Sequence, residues 1–331
     1  MSFTVNCTLR DIADAPALAP YNKYLMYANP YCPEDQPKTD PEMTLSFSAR
    51  IGWSPEGIAA ALNYLEDKLA RGQTEQFFLY EDEVVQDAEA QKQEVNLVWV
   101  KTEIPNAERK AVLLVSGGGY QAISMMVDGL PCVRHFSEQG YQVFLLTYRI
   151  GENQVLPKAL EDVASAVKFL AENSSRFGID LSTLVIAGYS AGANLVAAWQ
   201  LPEVGYRAFA LPAPKCALLV YGVFDLEDEL QNRALPDMRR FMLGDDFMIS
   251  CRKYNPTYAA DEGFPPTYLI CGAADGLVSP MNSRLLKAQL DQVGVRSVLE
   301  IVPDTDHGFG DGTGTKAADW LLRADVFINS L

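Results

Sequence analysis

Short, almost entirely apolar runs alternate with amphipathic stretches along the chain from residue 77 onward. Such runs are typical of strands whose two faces are both buried. Apolar residues at every third or fourth position are typical of helices that pack one face against a sheet. The predicted strands cover residues 77–85, 95–102, 111–115, 143–148, 184–187, 217–223, 267–271 and 298–302. One helix is predicted to begin at residue 157, and two others are predicted over 194–199 and 282–290. This alternation predicts an α/β protein with a mainly parallel, doubly wound sheet flanked by helices.

The first 75 residues do not follow this pattern. Proline and tyrosine are dense between residues 16 and 41. Ser54 and Pro55 then supply an N-cap and a proline at the first helical position, and Gly72 suits the end of the helix that follows. We predict an N-terminal extension over 1–75, packed on the core and a candidate part of a cap, followed by the main domain over 76–331.

A stretch of about residues 224–264 inside the main domain mixes aromatic, methionine and charged side chains. That composition suits a half-buried cap better than an open apolar groove. The residues that give it this character are Arg239, Arg240, Phe241, Met242, Asp245, Asp246, Phe247 and Met248. We therefore predict a cap-like insertion here.

Composition and charge exclude several classes of protein. Of the 331 residues, 48% are hydrophobic and 21% charged, which suits a globular core and not a disordered chain. The formal charge of −16 would repel nucleic acids and anionic lipid surfaces, so neither is an expected partner. The first residues have no basic start followed by an apolar run, and no stretch is apolar for long enough to cross a bilayer, so we expect a cytoplasmic protein.

Six cysteines, at positions 7, 32, 132, 216, 251 and 271, show no paired-ligand spacing. Several of them lie inside apolar runs. We therefore expect reduced core thiols and neither a disulfide framework nor a metal site.

The sequence Gly188-Tyr189-Ser190-Ala191-Gly192 lies between a predicted buried strand and a predicted helix. Its glycines permit a sharp turn that raises the Ser190 hydroxyl above the sheet edge, next to a helix N-terminus. The pentapeptide alone is a weak signal, but the order strand, turn and helix favours a nucleophilic serine. The alternative is a serine with only a structural place in a tight turn.

The glycine run of Ser116-Gly117-Gly118-Gly119-Tyr120 follows another predicted strand. Its backbone N–H groups could approach a developing oxyanion. A phosphate-binding loop is a poorer interpretation, because the run lacks the G-x-G-x-x-G spacing and the Lys-Ser/Thr ending of such loops. A merely flexible loop stays open as an alternative.

Only two histidines are available as a base. His135 falls within a predicted helix before the serine, where a surface or satisfied structural role is the expectation. His307 follows the last predicted strand, at the edge where a parallel sheet gathers its functional loops.

A carboxylate should orient the imidazole. Asp275 directly follows a buried strand, and the order Ser190, Asp275, His307 matches nucleophile, acid and base in α/β-hydrolases. Asp304 and Asp306 are rivals because of their closeness to His307. We expect solvated or turn-capping roles for both, since near neighbours of a histidine seldom reach its far ring nitrogen.

Together these four motifs resemble the α/β-hydrolase esterases, specifically the bacterial acetyl-esterase and xylan-esterase-like branch related to hormone-sensitive lipase. The resemblance runs from about Phe77 to the C-terminus. It implies an α/β-hydrolase fold in which Ser190 is the nucleophile, Asp275 the acid and His307 the base. It also implies an oxyanion hole formed by the N–H groups of Gly118, Gly119 and Ala191. The chain departs from the family in having Ser116 where a histidine is usual and Ala193 where a glycine is common.

The expected activity is that of a serine carboxylesterase acting on small, acetyl-like esters, with acetylated carbohydrate among the candidate substrates. The expected partner is a small-molecule ester, with neither metal nor organic cofactor. A prolyl-oligopeptidase-like peptidase and a catalytically silent binding protein are the alternatives. The sequence leaves the oligomeric state open, a homo-oligomer included.

Overall fold

The computed structural model of the protein describes residues 2–28, 40–81, 87–104, 108–151, 153–227, 242–244 and 247–331. An eight-stranded sheet forms its centre, and a small antiparallel pair lies beside it. The strands are β1 (Tyr27–Ala28), β2 (Thr74–Phe78), β3 (Asn96–Val100), β4 (Ala111–Val115), β5 (Ala122–Ile123), β6 (Gln142–Thr147), β7 (Val185–Tyr189), β8 (Cys216–Val220), β9 (Thr267–Gly272) and β10 (Ser297–Val302). Strands β1 and β5 form the small pair, and the other eight form the large sheet.

The large sheet has the order β10-β9-β8-β7-β4-β6-β3-β2. Only the pairs that involve β3 are antiparallel; all the others are parallel. Strands β4, β7 and β8 are buried along their whole length, which explains why each is an unbroken apolar run. The predicted fold class is confirmed, and the strand order is information that periodicity alone did not contain.

Helices cover this sheet. They are α1 (Leu9–Ala13), α2 (Asn22–Leu25), α3 (Leu45–Ser48), α4 (Pro55–Ala70), α5 (Gly129–Glu138), α6 (Val155–Glu172), α7 (Ser174–Phe177), α8 (Ala191–Trp199), α9 (Phe247–Tyr254), α10 (Pro256–Ala259), α11 (Met281–Gln292) and α12 (Trp320–Asn329). The chain moves from β4 to β6 in one direction and from β6 to β7 in the other. Because such crossovers are right-handed, α5 and α6 lie on opposite faces of the sheet.

Some predicted boundaries were wrong. The first strand of the large sheet covers Thr74–Phe78 and not 77–85; residues 82–85 of that prediction lie outside the described part of the chain. As an edge strand with one neighbour, β2 carries polar, half-exposed residues that hide its strand character. Strand β8 ends at Val220 because Tyr221 has a positive φ of 41°. Helix α12 was not predicted, although its buried residues follow helical spacing.

The N-terminal residues pack on this core. Phe3, Leu18 and Leu45 are buried, and β1 pairs with β5 next to the glycine-rich loop. Helix α4 begins as expected, with the Ser54 side chain accepting a hydrogen bond from the Gly57 N–H group at 3.1 Å. The division of the chain at residue 75 stays a prediction; β2, which contains that residue, already belongs to the sheet.

The predicted cap-like insertion is described only in part. Residues 228–241 and 245–246, which include Arg239, Arg240, Phe241, Asp245 and Asp246, lie outside the described residues. The described part holds α9, α10 and the buried Met242.

The same described ranges contain no helix able to span a membrane, no cluster of metal ligands and no disulfide. None of their helices is both long and apolar enough to cross a bilayer. No cluster of metal-ligating side chains is found among them. Cys7, Cys132, Cys216, Cys251 and Cys271 form no disulfide with one another, and Cys32 lies outside these ranges.

Candidate active site

Ser190 occupies the tight turn between β7 and α8. Its backbone angles, φ 52° and ψ −121°, are unusual for a residue with a side chain and expose the hydroxyl group at the sheet edge. The Ser190 N–H group donates to the Val220 carbonyl at 2.9 Å, which fixes the turn to β8. A Cβ atom on Gly192 would overlap the Val115 carbonyl oxygen, so glycine is required where α8 crosses the end of β4.

Three of the predicted site residues meet in one hydrogen-bonded chain. The Ser190 Oγ atom lies 2.9 Å from His307 Nε2, and His307 Nδ1 lies 2.8 Å from Asp275 Oδ2. The imidazole is 13% exposed and the Asp275 carboxylate fully buried. This arrangement can take a proton from the serine hydroxyl and stabilise the imidazolium that results.

Backbone hydrogen bonds hold Asp275 in place. Its Oδ1 atom accepts from the N–H groups of Leu277 and Val278 at 2.9 and 2.7 Å, which leaves Oδ2 for the imidazole.

The first rival for the role of the acid, Asp304, pairs with Lys316 at the surface. The second, Asp306, accepts from the N–H groups of Gly276 and His307 and joins the two loops of the site. Neither rival contacts the imidazole ring through any described hydrogen bond.

The glycine-rich loop lies against the serine. A Cβ atom on Gly117 would lie 2.6 Å from the Ser190 Cβ atom, so the loop approaches as closely as glycine permits. Gly118 and Gly119 both have positive φ angles, and Ala191 is the first residue of α8. In the described part of the chain, the N–H groups of these three residues donate to no loop, turn or cap carbonyl. They are suitable donors for an oxyanion formed next to Ser190.

The other histidine is elsewhere. His135 Nε2 lies 2.8 Å from Asp325 Oδ2, which joins α5 to α12. That contact gives His135 the satisfied structural role expected from its position.

Sequence reasoning missed Tyr221 and Asp128. The Tyr221 ring packs against the His307 ring with 4.7 Å between centroids. The Tyr221 hydroxyl donates to Asp128 Oδ1 at 2.8 Å, and Asp128 Oδ2 accepts from the Gly117 N–H group at 2.7 Å. Burial raises the pKa of Asp128, while these two hydrogen bonds and the charge of His307 oppose the rise. The sequence carries no signal for these contacts, because they join distant segments.

The N-terminal segment also reaches the site. A Cβ atom on Gly52 would overlap the His307 carbonyl oxygen, and one on Gly308 would lie 3.1 Å from Trp53 Cδ1. The turn at Gly52 and Trp53 therefore packs directly on the loop that carries the histidine.

A serine turn at the end of a central parallel strand, joined to a histidine and an acid from later loops, defines the α/β-hydrolase class. The BD-FAE family model matches residues 100–290, more than half of the chain. The chain belongs to the BD-FAE family of α/β-hydrolases.

Curated relatives are named as ester hydrolases. The chain is 25% identical to esterase LipC of Mycobacterium tuberculosis in an alignment of 256 residues that covers 71% of this chain and 61% of LipC. It is 24% identical to an acetylxylan esterase of Xylanibacter ruminicola in an alignment of 226 residues that covers 66% of this chain and 45% of that enzyme. This chain thus spans less than two thirds of either relative.

Solved structures share the fold. An acetyl ester-xyloside bifunctional hydrolase from Caldicellulosiruptor lactoaceticus matches with a TM-score of 0.63 and 20% identity, over 77% of this chain and 96% of that one. A thermophilic esterase from Thermogutta terrifontis matches with a TM-score of 0.61 and 22% identity, over 78% and 92% of the two chains.

Proposed function

We propose that this protein is a serine carboxylesterase that hydrolyses small-acyl esters through an acyl-enzyme on Ser190. One observation carries the proposal: the Ser190 hydroxyl, the His307 imidazole and the Asp275 carboxylate form a continuous hydrogen-bonded chain, with contacts of 2.9 and 2.8 Å. The names of the relatives support an ester as the substrate.

Acylation begins when His307 Nε2 takes the Ser190 hydroxyl proton and Oγ bonds to the ester carbonyl carbon. The carbonyl oxygen becomes an oxyanion that accepts hydrogen bonds from the N–H groups of Gly118, Gly119 and Ala191. When this intermediate collapses, the bond to the alcohol oxygen breaks and His307 gives the proton to the departing alcohol. Asp275 holds Nδ1 protonated throughout.

Deacylation repeats these steps with water. His307 Nε2 takes a proton from a water molecule, whose oxygen bonds to the acyl carbon. The second oxyanion occupies the same hole. Its collapse breaks the acyl bond to Ser190, and the proton returns to Oγ as the carboxylic acid leaves.

A preference for short acyl groups follows from the surroundings of the site. The turn at Gly52 and Trp53 packs on the loop of His307, and we expect it to limit the room for an acyl group on that side. The charge of −16 disfavours docking on anionic lipid, so long-chain esters would be met only as scarce monomers. Names of relatives that include acetylxylan esterase and acetyl ester-xyloside hydrolase make acetylated carbohydrate a candidate substrate class.

We also infer a reducing, cytoplasmic location, which the buried thiols of Cys132, Cys216 and Cys271 support.

The test combines active-site labelling with a substrate panel. Purified protein is treated with a fluorophosphonate probe, and the labelled peptide is mapped by mass spectrometry. We expect a single adduct on Ser190 and turnover of acetyl esters, including acetylated sugars. Cleavage of prolyl peptides without ester turnover would support the peptidase alternative. Absence of both labelling and turnover would support a silent binding protein.

A further inference from the structure

A buried carboxylate outside the serine-histidine-aspartate chain touches the site from two sides. Asp128 is 4% exposed, and its two oxygens accept from the Gly117 N–H group at 2.7 Å and from the Tyr221 hydroxyl at 2.8 Å. One contact leads to the loop of the oxyanion donors, and the other leads to the ring packed against His307.

The helix beside Asp128 does not explain this orientation. Asp128 occupies the N-cap position of α5, where an aspartate side chain ordinarily accepts from the first N–H groups of its helix. Here the side chain makes no capping hydrogen bond, and Ser116 Oγ accepts from the Gly129 N–H group instead. The carboxylate is turned away from its own helix and toward the site.

Charge pairing does not explain it either. No ion pair joins Asp128 to a lysine or arginine among the described residues. A buried carboxylate held only by two neutral donors is costly to desolvate, so its position needs another justification.

The two donors lie where catalytic geometry is decided. Gly117 packs on the Ser190 Cβ atom and precedes the proposed oxyanion donors Gly118 and Gly119. Tyr221, at a positive φ of 41°, packs its ring against both His307 and Phe309. Loss of the shared acceptor would release the glycine loop and the support of the imidazole together.

We propose that Asp128 is a positioning residue that couples the oxyanion loop, through Gly117, to the catalytic histidine, through Tyr221. It touches neither substrate nor reacting atoms. The inference rests on the proposed function, since it concerns the efficiency of that same site.

The first test replaces Asp128. Asp128→Ala removes both acceptors, and we expect kcat for p-nitrophenyl acetate to fall about 10²-fold with little change in KM, because a small displacement of oxyanion donors acts on the transition state. Asp128→Asn keeps both contacts, since its oxygen accepts from Gly117 and its amide can donate to the Tyr221 oxygen. It should retain kcat to within about tenfold of the wild type.

An inhibitor provides the readout that a merely structural role would not move. 1,1,1-Trifluoro-2-butanone adds to a serine hydroxyl and forms a tetrahedral adduct whose oxyanion occupies the hole. Its inhibition constant should rise in Asp128→Ala in parallel with the loss of kcat.

Tyr221→Phe and Tyr80→Phe form a matched pair. Tyr80 also donates to a buried carboxylate, Asp162, at 2.8 Å. No described hydrogen bond joins Tyr80 or Asp162 to Ser190 or His307. We expect Tyr221→Phe to lower kcat about fivefold, the equivalent of one hydrogen bond, and Tyr80→Phe to leave it unchanged. If Asp128→Ala does not fold, the comparison of kcat between these two tyrosine variants tests the positioning role of Asp128.

Three results would overturn the inference: a folded Asp128→Ala with wild-type kcat, an unchanged inhibition constant despite lost kcat, or equal kcat values in the two tyrosine variants. If the wild type shows no Ser190-dependent hydrolysis, the proposed function itself has failed. Normal wild-type turnover with any of these three results refutes the role of Asp128 alone.

Discussion

Replacing Asp275 with asparagine tests which carboxylate orients the imidazole. The Asp275 side chain is fully buried, with Oδ2 2.8 Å from His307 Nδ1. The asparagine amide has no negative charge, and it favours the His307 tautomer that carries its proton on Nε2. A protonated Nε2 can no longer accept a hydrogen bond from the Ser190 hydroxyl. In a triad of this type the change lowers kcat on the order of 10⁴-fold. That loss corresponds to about 5 kcal/mol of transition-state stabilisation.

The neighbouring acids provide graded controls. Asp306→Asn keeps an oxygen that can accept from the Gly276 and His307 N–H groups, so we expect kcat to fall less than about tenfold. Asp304→Asn breaks only the ion pair with Lys316. Because the Asp304 side chain is 77% exposed and the Lys316 side chain 61% exposed, we expect activity to stay unchanged.

The assay is hydrolysis of p-nitrophenyl acetate by the three variants, with kcat and KM at one pH and the melting temperature of each. The order expected for the loss of kcat is Asp275→Asn far above Asp306→Asn, with Asp304→Asn equal to the wild type. If Asp304→Asn or Asp306→Asn proves the most damaging change, the acid has been assigned to the wrong residue.

Three further predictions concern packing and specificity. Gly192→Ala should abolish activity and lower the melting temperature, because its Cβ atom overlaps the Val115 carbonyl; a stable, active variant contradicts the turn described above. Ser54→Ala should lower the free energy of unfolding in urea by about 0.5–2 kcal/mol, since this cap accepts from the Gly57 N–H group and donates to the Thr313 carbonyl at 2.6 Å. An unchanged free energy of unfolding in Ser54→Ala would show that these contacts are not stabilising. Across p-nitrophenyl acetate, butyrate, octanoate and palmitate, kcat/KM should be highest for acetate or butyrate, and a maximum at octanoate or beyond would refute a restricted site.

Local features of the fold and site were predictable from the sequence. The Ser190 turn, the Ser54 cap and the buried runs of β4 and β7 each depend on neighbouring residues, so their patterns are visible in one stretch of chain. The grouping of Ser190, Asp275 and His307 was accessible because each follows a strand of one parallel sheet.

Long-range contacts were not predictable. The hydrogen bond between Tyr221 and Asp128 joins residues 93 positions apart, and nothing near either residue indicates the other. Gly52 lies far from His307 in sequence, yet the two pack together. The edge position of β2 likewise depends on strand order, which hydrophobic periodicity does not encode.

The nucleophile is the central claim, and kcat of Ser190→Ala for p-nitrophenyl acetate tests it most directly. The side chain is small and half-buried in a turn fixed by backbone contacts, so the variant should fold. Loss of the covalent route predicts a fall in kcat on the order of 10⁴ to 10⁶. Folded Ser190→Ala protein with kcat within tenfold of the wild type would contradict the account.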